Sequence, residues 1–214
     1  MVDRAKILEA VKTAIEKAPE RKFSESIDIT INLKNIDMAQ PKNRIDETIL
    51  LPHGLGEKIM ICVIGKGDIV TQAKDAKVDL IIGPEEVERL GGAPREARKV
   101  ASTHRFFLAE MAVMPQVGRF LGPRLGPRGR MPMPIAGGQD IRPIVERLRN
   151  SVKIRTKDKR VFSTKVGSTA MKPEQIAENI EAIIKRIESV LDQGPLNIRS
   201  VFVKTTMGPA VRLE

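Results

Sequence analysis

The chain has 214 residues and a formal net charge of +10, from 37 lysines and arginines against 27 acids. A hydrophobic fraction of 41% excludes a wholly disordered chain, the length allows one large domain or two small ones, and no run approaches the roughly 18 apolar residues of a membrane span. The single cysteine, Cys62, excludes an internal disulfide and any cysteine-cluster metal site, so a reducing, cytoplasmic setting is expected.

Residues 3–17 place Ile7, Leu8, Val11, Ala14 and Ile15 at helical spacing, which predicts an amphipathic helix and lacks the apolar core of a signal peptide. After Pro19, "SESIDITINL" alternates Ile27, Ile29, Ile31 and Leu33 with polar residues, the pattern of an antiparallel strand with one solvated face. "NRIDETILLP" offers a second strand. The pattern then changes: "IMICVIG" and "VDLIIG" are continuous apolar runs, as in strands buried on both faces of a parallel sheet. "DIVTQAKDA", "PEEVERLGG", "APREARKVAST" and "QDIRPIVERLRNS" read as helices, "HRFFLAEM" as a strand, and the alternation predicts a doubly wound, Rossmann-like α/β unit.

Between them, "GRFLGPRLGPRGRMPMP" (118–134) is so dense in glycine and proline that neither helix nor strand is expected through it. Its four arginines leave three readings open: a phosphate grip, a buried connector or a disordered arm. Beyond residue 155 the first pattern resumes. "RVFSTKVG" alternates as a strand, "KPEQIAENIEAIIKRIESVLDQG" is a long amphipathic helix stopped by Gly194, and "IRSVFVKTTM" is a closing strand with Ile198 and Ser200 on one face. The expected fold class is therefore mixed α/β and α+β. A discontinuous antiparallel α+β domain, 1–56 plus 155–214, is interrupted by a hinged α/β insert, 57–154.

The charge excess points to a polyanion, nucleic acid first and an anionic membrane second. With no tryptophan or tyrosine, folded nucleic acid is expected rather than loose strands stacked on aromatics. Catalytic motifs are poor. His53 and His104 lack metal-ligand spacing, Cys62 lies in an apolar strand, "GKGDIV" lacks the third glycine of a dinucleotide loop, and "GPRLGPRGR" is no Walker loop. No enzyme activity, cofactor or metal is expected.

Three segments suit RNA. In 118–134, Arg119, Arg124, Arg128 and Arg130 can hold phosphate bidentately, or serve salt bridges in a connector. "RTKDKRVFSTKVGST" carries Arg155, Lys157, Lys159, Arg160 and Lys165 against one acid, and reads as a phosphate-facing edge or as a solvated hairpin. "KTTMGPAV" joins the hydroxyls of Thr205 and Thr206 to the polarizable Met207 and to Gly208, a mixture that meets ribose and base faces in a shallow minor groove but equally describes a strand end and turn.

Together, "LPHGLGEK", the 118–134 stretch, "KVGS" and "SVFVKTTMGPAVRL" resemble the large-subunit ribosomal protein one family, in its archaeal form, over nearly the whole chain and in order. The doubled Leu-Gly-Pro-Arg and the Ser168–Thr169 pair depart from the family pattern. The resemblance implies a two-domain RNA-binding protein of the mobile stalk near the tRNA exit site. By motif it implies RNA contacts at Lys22, Phe23, Ser24 and Ser26, at Lys165, Val166, Gly167 and Ser168, and at Ser200, Thr206, Met207 and Gly208. Secondary phosphate contacts are expected at Arg124, Arg128, Lys159 and Arg160. The implied partners are large-subunit rRNA, the protein's own messenger RNA (whose translation it would repress) and exit-site tRNA, with no membrane, on a protein that is cytoplasmic, ribosome-bound and monomeric when free. The alternatives are a stand-alone translational repressor and, more remotely, a nucleotide-binding α/β enzyme.

Overall fold

The computed structural model describes residues 4–19 and 21–213. In chain order the elements are α1 (Arg4–Glu16), β1 (Ser26–Leu33), β2 (Asp46–Leu50), β3 (Ile61–Ile64), α2 (Asp68–Asp75), β4 (Leu80–Ile82), α3 (Pro84–Gly92), α4 (Pro94–Thr103), β5 (Phe106–Glu110), α5 (Met114–Phe120), α6 (Gly122–Leu125), β6 (Met133–Ile135), α7 (Arg142–Arg149), β7 (Ser151–Arg155), β8 (Val161–Ser168), α8 (Pro173–Val190), β9 (Ile198–Thr205) and β10 (Val211–Arg212). Asp3, at the head of the expected first helix, lies outside the described residues. The chain divides into two compact units, Met1–Glu57 with Asn150–Glu214, and Lys58–Arg149.

The terminal unit is built on a four-stranded antiparallel sheet in the order β10-β9-β1-β8. Alternation in β1 sends Ile27, Ile29, Ile31 and Leu33 inward and leaves Ser26, Asp28, Thr30 and Asn32 half-buried on the other face. Helix α1 packs on β9 and β10, α8 packs on β8, and the two helices pack on each other, so one face of the sheet is covered. Ile7, Val11 and Ala14 from α1 and Ile176, Ile180, Ile183 and Ile187 from α8 line that core. Each buried isoleucine contributes about 1.5–3 kcal/mol over an exposed one.

A separate pair, β2 with β7, matches Ile49 to Val152 and Glu47 to Ile154. Val152 and Ile154 are fully buried, and residues 150–154 group with the terminal halves, whereas the sequence pattern places them in an insert of 57–154. The reason is the β2 partner, a long-range pairing that local alternation does not reveal.

The inserted unit is a parallel sheet in the order β4-β3-β5-β6. Helices α3, α4, α5 and α6 pack among themselves, and their apolar faces cover Cys62, Ile64, Phe107 and Ala109; α2 packs with α7. Burial pushes the Cys62 thiol far above its ordinary range, as befits a small core hydrophobe.

Three expectations are corrected here. First, 118–134 is not irregular: α5 starts just before it, α6 lies inside it, and β6 ends it. Pro115 and Pro123 sit in the first turn of their helices, where a missing N–H costs nothing. Val117, Leu121 and Leu125 recur every four residues and are buried to 3% or less. Gly129, at φ 68°, then closes the segment as a Schellman motif, with Arg130 N–H donating to Leu125 O at 3.0 Å and Gly129 N–H to Gly126 O at 2.9 Å. Pro134 is tolerated because β6 is an edge strand. Second, α8 ends at Val190; Gly194, at φ 54°, opens the short 3-10 turn Gly194–Asn197 instead. Third, Ile198 and Ser200 do not share a face. A bulge at Arg199 shifts the pairing so that Ile198, Val201 and Val203 face the core while Ser200 stands opposite Asn32 on the other face.

Candidate nucleic-acid interface

The register of the antiparallel sheet decides which chain ends meet. Ser26 opposes Ser168, and Ile27 opposes Thr205, so the chain entering β1, the turn after β8 and the turn after β9 gather at one edge. They are stitched together around Glu25. Its backbone N–H donates to Thr169 Oγ1 at 3.0 Å, and its carbonyl accepts the Thr169 N–H at 2.9 Å. Its Oε2 accepts the Met207 N–H at 3.2 Å, while Oε1 is buried with no partner among the described residues. The Thr206 N–H and hydroxyl both donate to Ser26 O, at 3.0 and 3.2 Å. Thr205, fully buried, accepts the Gly208 N–H on its Oγ1 at 3.0 Å. A Cβ on Gly208 would lie 2.3 Å from that oxygen, so glycine is required for the turn to close.

On this stitched base two large apolar side chains face solvent: Phe23 is 61% and Met207 57% exposed. Lys22, Ser24 and Thr206 are exposed beside them and Ser26 is half-buried. Stacking and polarizable surface thus stand beside hydroxyls and one ammonium. Such an edge reads ribose hydroxyls and base faces by short-range fit rather than by charge alone.

The remaining expected contacts distribute unevenly. Gly167 and Ser168 lie at the edge but are buried, and the Val166 side chain is fully buried in the core. The Val166 carbonyl accepts from Asn179 Nδ2 at 2.9 Å, so neither its side chain nor its carbonyl is presented at the edge. Its position follows from the regular alternation of β8, in which Phe162, Thr164 and Val166 all face inward. Lys165 lies on the uncovered face, paired with Glu57 Oε2 at 2.7 Å. Ser200 stands on the same face at the other end of the sheet, its Oγ accepting from Asn32 Nδ2 at 2.7 Å. Lys159 and Arg160 are exposed in the turn before β8.

In the inserted unit the arginines diverge. Arg130 donates from one nitrogen to Ala101 O at 2.6 Å, Ser102 O at 2.8 Å and His104 O at 3.0 Å, capping the C-terminus of α4. Arg119 lies 5.5 Å from the Phe120 ring, and Arg128 donates to Arg124 O at 3.2 Å. Arg130 is therefore a structural residue, while Arg119 and Arg128 remain exposed.

At the crevice above β3 and β5, where a parallel sheet of this winding would hold a nucleotide, the protein places a carboxylate of its own. Glu110 Oε2 accepts the Lys66 N–H at 3.0 Å and would lie 3.4 Å from a Cβ on Gly65. The histidines serve structure: His53 pairs with Glu178 and His104 Nδ1 lies 3.1 Å from Val100 O. Among the described residues no group of three or more His, Cys, Asp or Glu could hold a metal ion, and no helix is long and apolar enough to cross a membrane.

Sequence pattern does not single out Glu25 or Thr169 as part of this edge. One signal is nonetheless present: Glu25 occupies the inward phase of the alternation that continues through Ile27, Ile29 and Ile31, and a carboxylate in an apolar phase demands partners.

Residues 12–209 match the family model described as "Ribosomal protein L1p/L10e family". The chain is similar to proteins named large ribosomal subunit protein uL1. It is 86% identical to that of Methanoregula boonei and 69% identical to that of Methanospirillum hungatei, each over the full length of both chains. It is 46% identical to that of Archaeoglobus fulgidus, over all of this chain and 99% of the relative. With the family model matched over residues 12–209 and these full-length relatives archaeal, the chain belongs to the ribosomal protein L1p/L10e family, in its archaeal form.

Proposed function

We propose that this protein is a structural component of the large ribosomal subunit that docks on folded large-subunit rRNA through the Glu25-centred edge of its terminal unit. The observation that carries the reading is the convergence of three separate segments on Glu25, which leaves Phe23, Thr206 and Met207 presented together on a rigid base. Net charge of +10 supplies long-range attraction, and this edge supplies fit. The inserted unit would move with the stalk about the crossings at residues 57–58 and 149–150, near exit-site tRNA. The same edge, reading RNA shape, would accept a hairpin on the protein's own messenger RNA and repress its translation.

Titration of the full chain with an rRNA stalk fragment, against an unrelated RNA duplex of equal length at the same salt, tests the reading. A preference of about 1,000-fold or more for the stalk fragment is expected of specific recognition. Equal binding to both would leave only a non-specific polycation.

A further inference from the structure

The uncovered face of the antiparallel sheet does not stop at the Glu25 edge. Its cross-strand rows continue from Ser168 and Ser26, through Lys165, Asp28 and Lys204, to Ser163, Thr30 and Phe202, and then to Val161, Asn32 and Ser200. Arg212 extends the third row because it opposes Phe202. At the far end these residues floor a groove of about 630 Å3, walled by Lys34, Arg160, Arg199 and Arg212. Among the described residues no acid lines it, and none of those four cations has an acidic partner.

Two features of the backbone aim these charges. The bulge that puts Ser200 on this face leaves Arg199 exposed beside it, and Asn35, at φ 57°, turns the chain just after Lys34. Arg160 is held at the rim because its carbonyl accepts the Leu33 N–H at 2.7 Å. Guanidiniums around an open groove with no acid among its described residues repel one another, and the arrangement is favourable once an anion lies among them.

We infer that this groove is a second RNA-backbone anchor, binding phosphates of the same folded RNA that docks at the Glu25 edge. The two sites share one face, and seven residues of β1 separate them, about 23 Å. A helical RNA seated at the edge and running along β1 would bring its backbone over the groove. The edge would then set where the RNA sits, and the groove its direction across the sheet. This inference rests on the reading that the chain binds folded rRNA.

The experiment is a salt series of stalk-fragment binding with four full-length proteins: the unaltered chain, Arg199→Ala with Arg212→Ala, Arg199→Lys with Arg212→Lys, and Lys6→Ala with Lys185→Ala. The last pair removes two exposed lysines from the helix layer on the covered side. The arginine-to-alanine pair is expected to flatten the plot of log K against log salt by about 1.5, because two phosphates are no longer neutralised, while the lysine pair keeps the slope. The helix-layer control should leave the slope unchanged. Equal slopes for all four overturn the anchor, as does an equal flattening in the control, which would make the effect one of net charge. A groove that instead retains an acidic protein while RNA binding is unaltered also overturns it. If the unaltered chain fails to prefer the stalk fragment, the docking reading itself has failed, which is a separate outcome.

Discussion

The Met207 backbone N–H donates to Glu25 Oε2 at 3.2 Å, so a residue at the very start of the sheet holds the turn that ends it 182 positions later. Because the Glu25 side chain is buried and the Met207 side chain is exposed, the bond separates support from presentation: one residue sets the geometry and the other meets the partner.

Glu25→Ala is expected to lower stability by about 1–3 kcal/mol, since it removes a charge-assisted bond and leaves the Met207 amide unpaired. Glu25→Gln should retain most of the stability, because an amide oxygen still accepts from Met207. Chemical denaturation of both, followed by rRNA titration of whichever folds, checks this. Equal stability of the alanine variant and the unaltered chain would refute the supporting role.

Met207→Asp should leave the melting temperature nearly unchanged, the side chain being 57% exposed, yet weaken rRNA binding by more than about 100-fold. A carboxylate would face the phosphate-rich partner at close range. Met207→Ala, which removes apolar area without adding charge, should cost less. Normal binding by the aspartate variant would move the RNA-facing surface elsewhere.

Arg130 and its neighbours separate two roles within one basic segment. Arg130→Ala exposes three carbonyls at the end of α4 and should lower the melting temperature while leaving the salt dependence of RNA binding untouched. Arg124→Ala with Arg128→Ala should do the reverse, flattening the salt slope by up to about 0.9 for each phosphate that is no longer engaged. Calorimetry paired with a binding series on both proteins distinguishes them.

Acid should destabilise the inserted unit through Asp79. Burial alone would raise its carboxyl, but hydrogen bonds from the Lys58 ammonium and the Ile61 N–H, with the charges of Lys58 and Arg149, outweigh that and hold it below the ordinary carboxylate range. A depressed carboxylate contributes its stability above the unfolded value, near 3.9, and loses it as pH falls through the lower folded value. Asp79→Asn should therefore lower stability at pH 7 and make the decline below about pH 4 shallower, as unfolding curves across pH 2–7 would reveal.

Local pattern alone determined most of the elements here. The strict alternation of residues 26–33 specifies β1, the apolar runs at 61–64 and 80–82 specify buried parallel strands, and the isoleucines of 173–190 specify the long helix. Side-chain period is a property of a dozen neighbouring residues, so a sequence carries it openly. The motifs that resemble the family are equally legible, and they name the segments that converge.

Tertiary structure decided the rest, because it depends on partners distant in the chain. Glycine and proline mask the four-residue spacing of Val117, Leu121 and Leu125, which becomes helical only where α3 and α4 bury it. The bulge opposite Asn32 changes the face of Ser200, since one inserted residue reverses every side chain beyond it. Only the register of β1 against β8 and β9 brings Glu25, Thr169 and Met207 together and sets four arginines and lysines around a groove that no single segment contains.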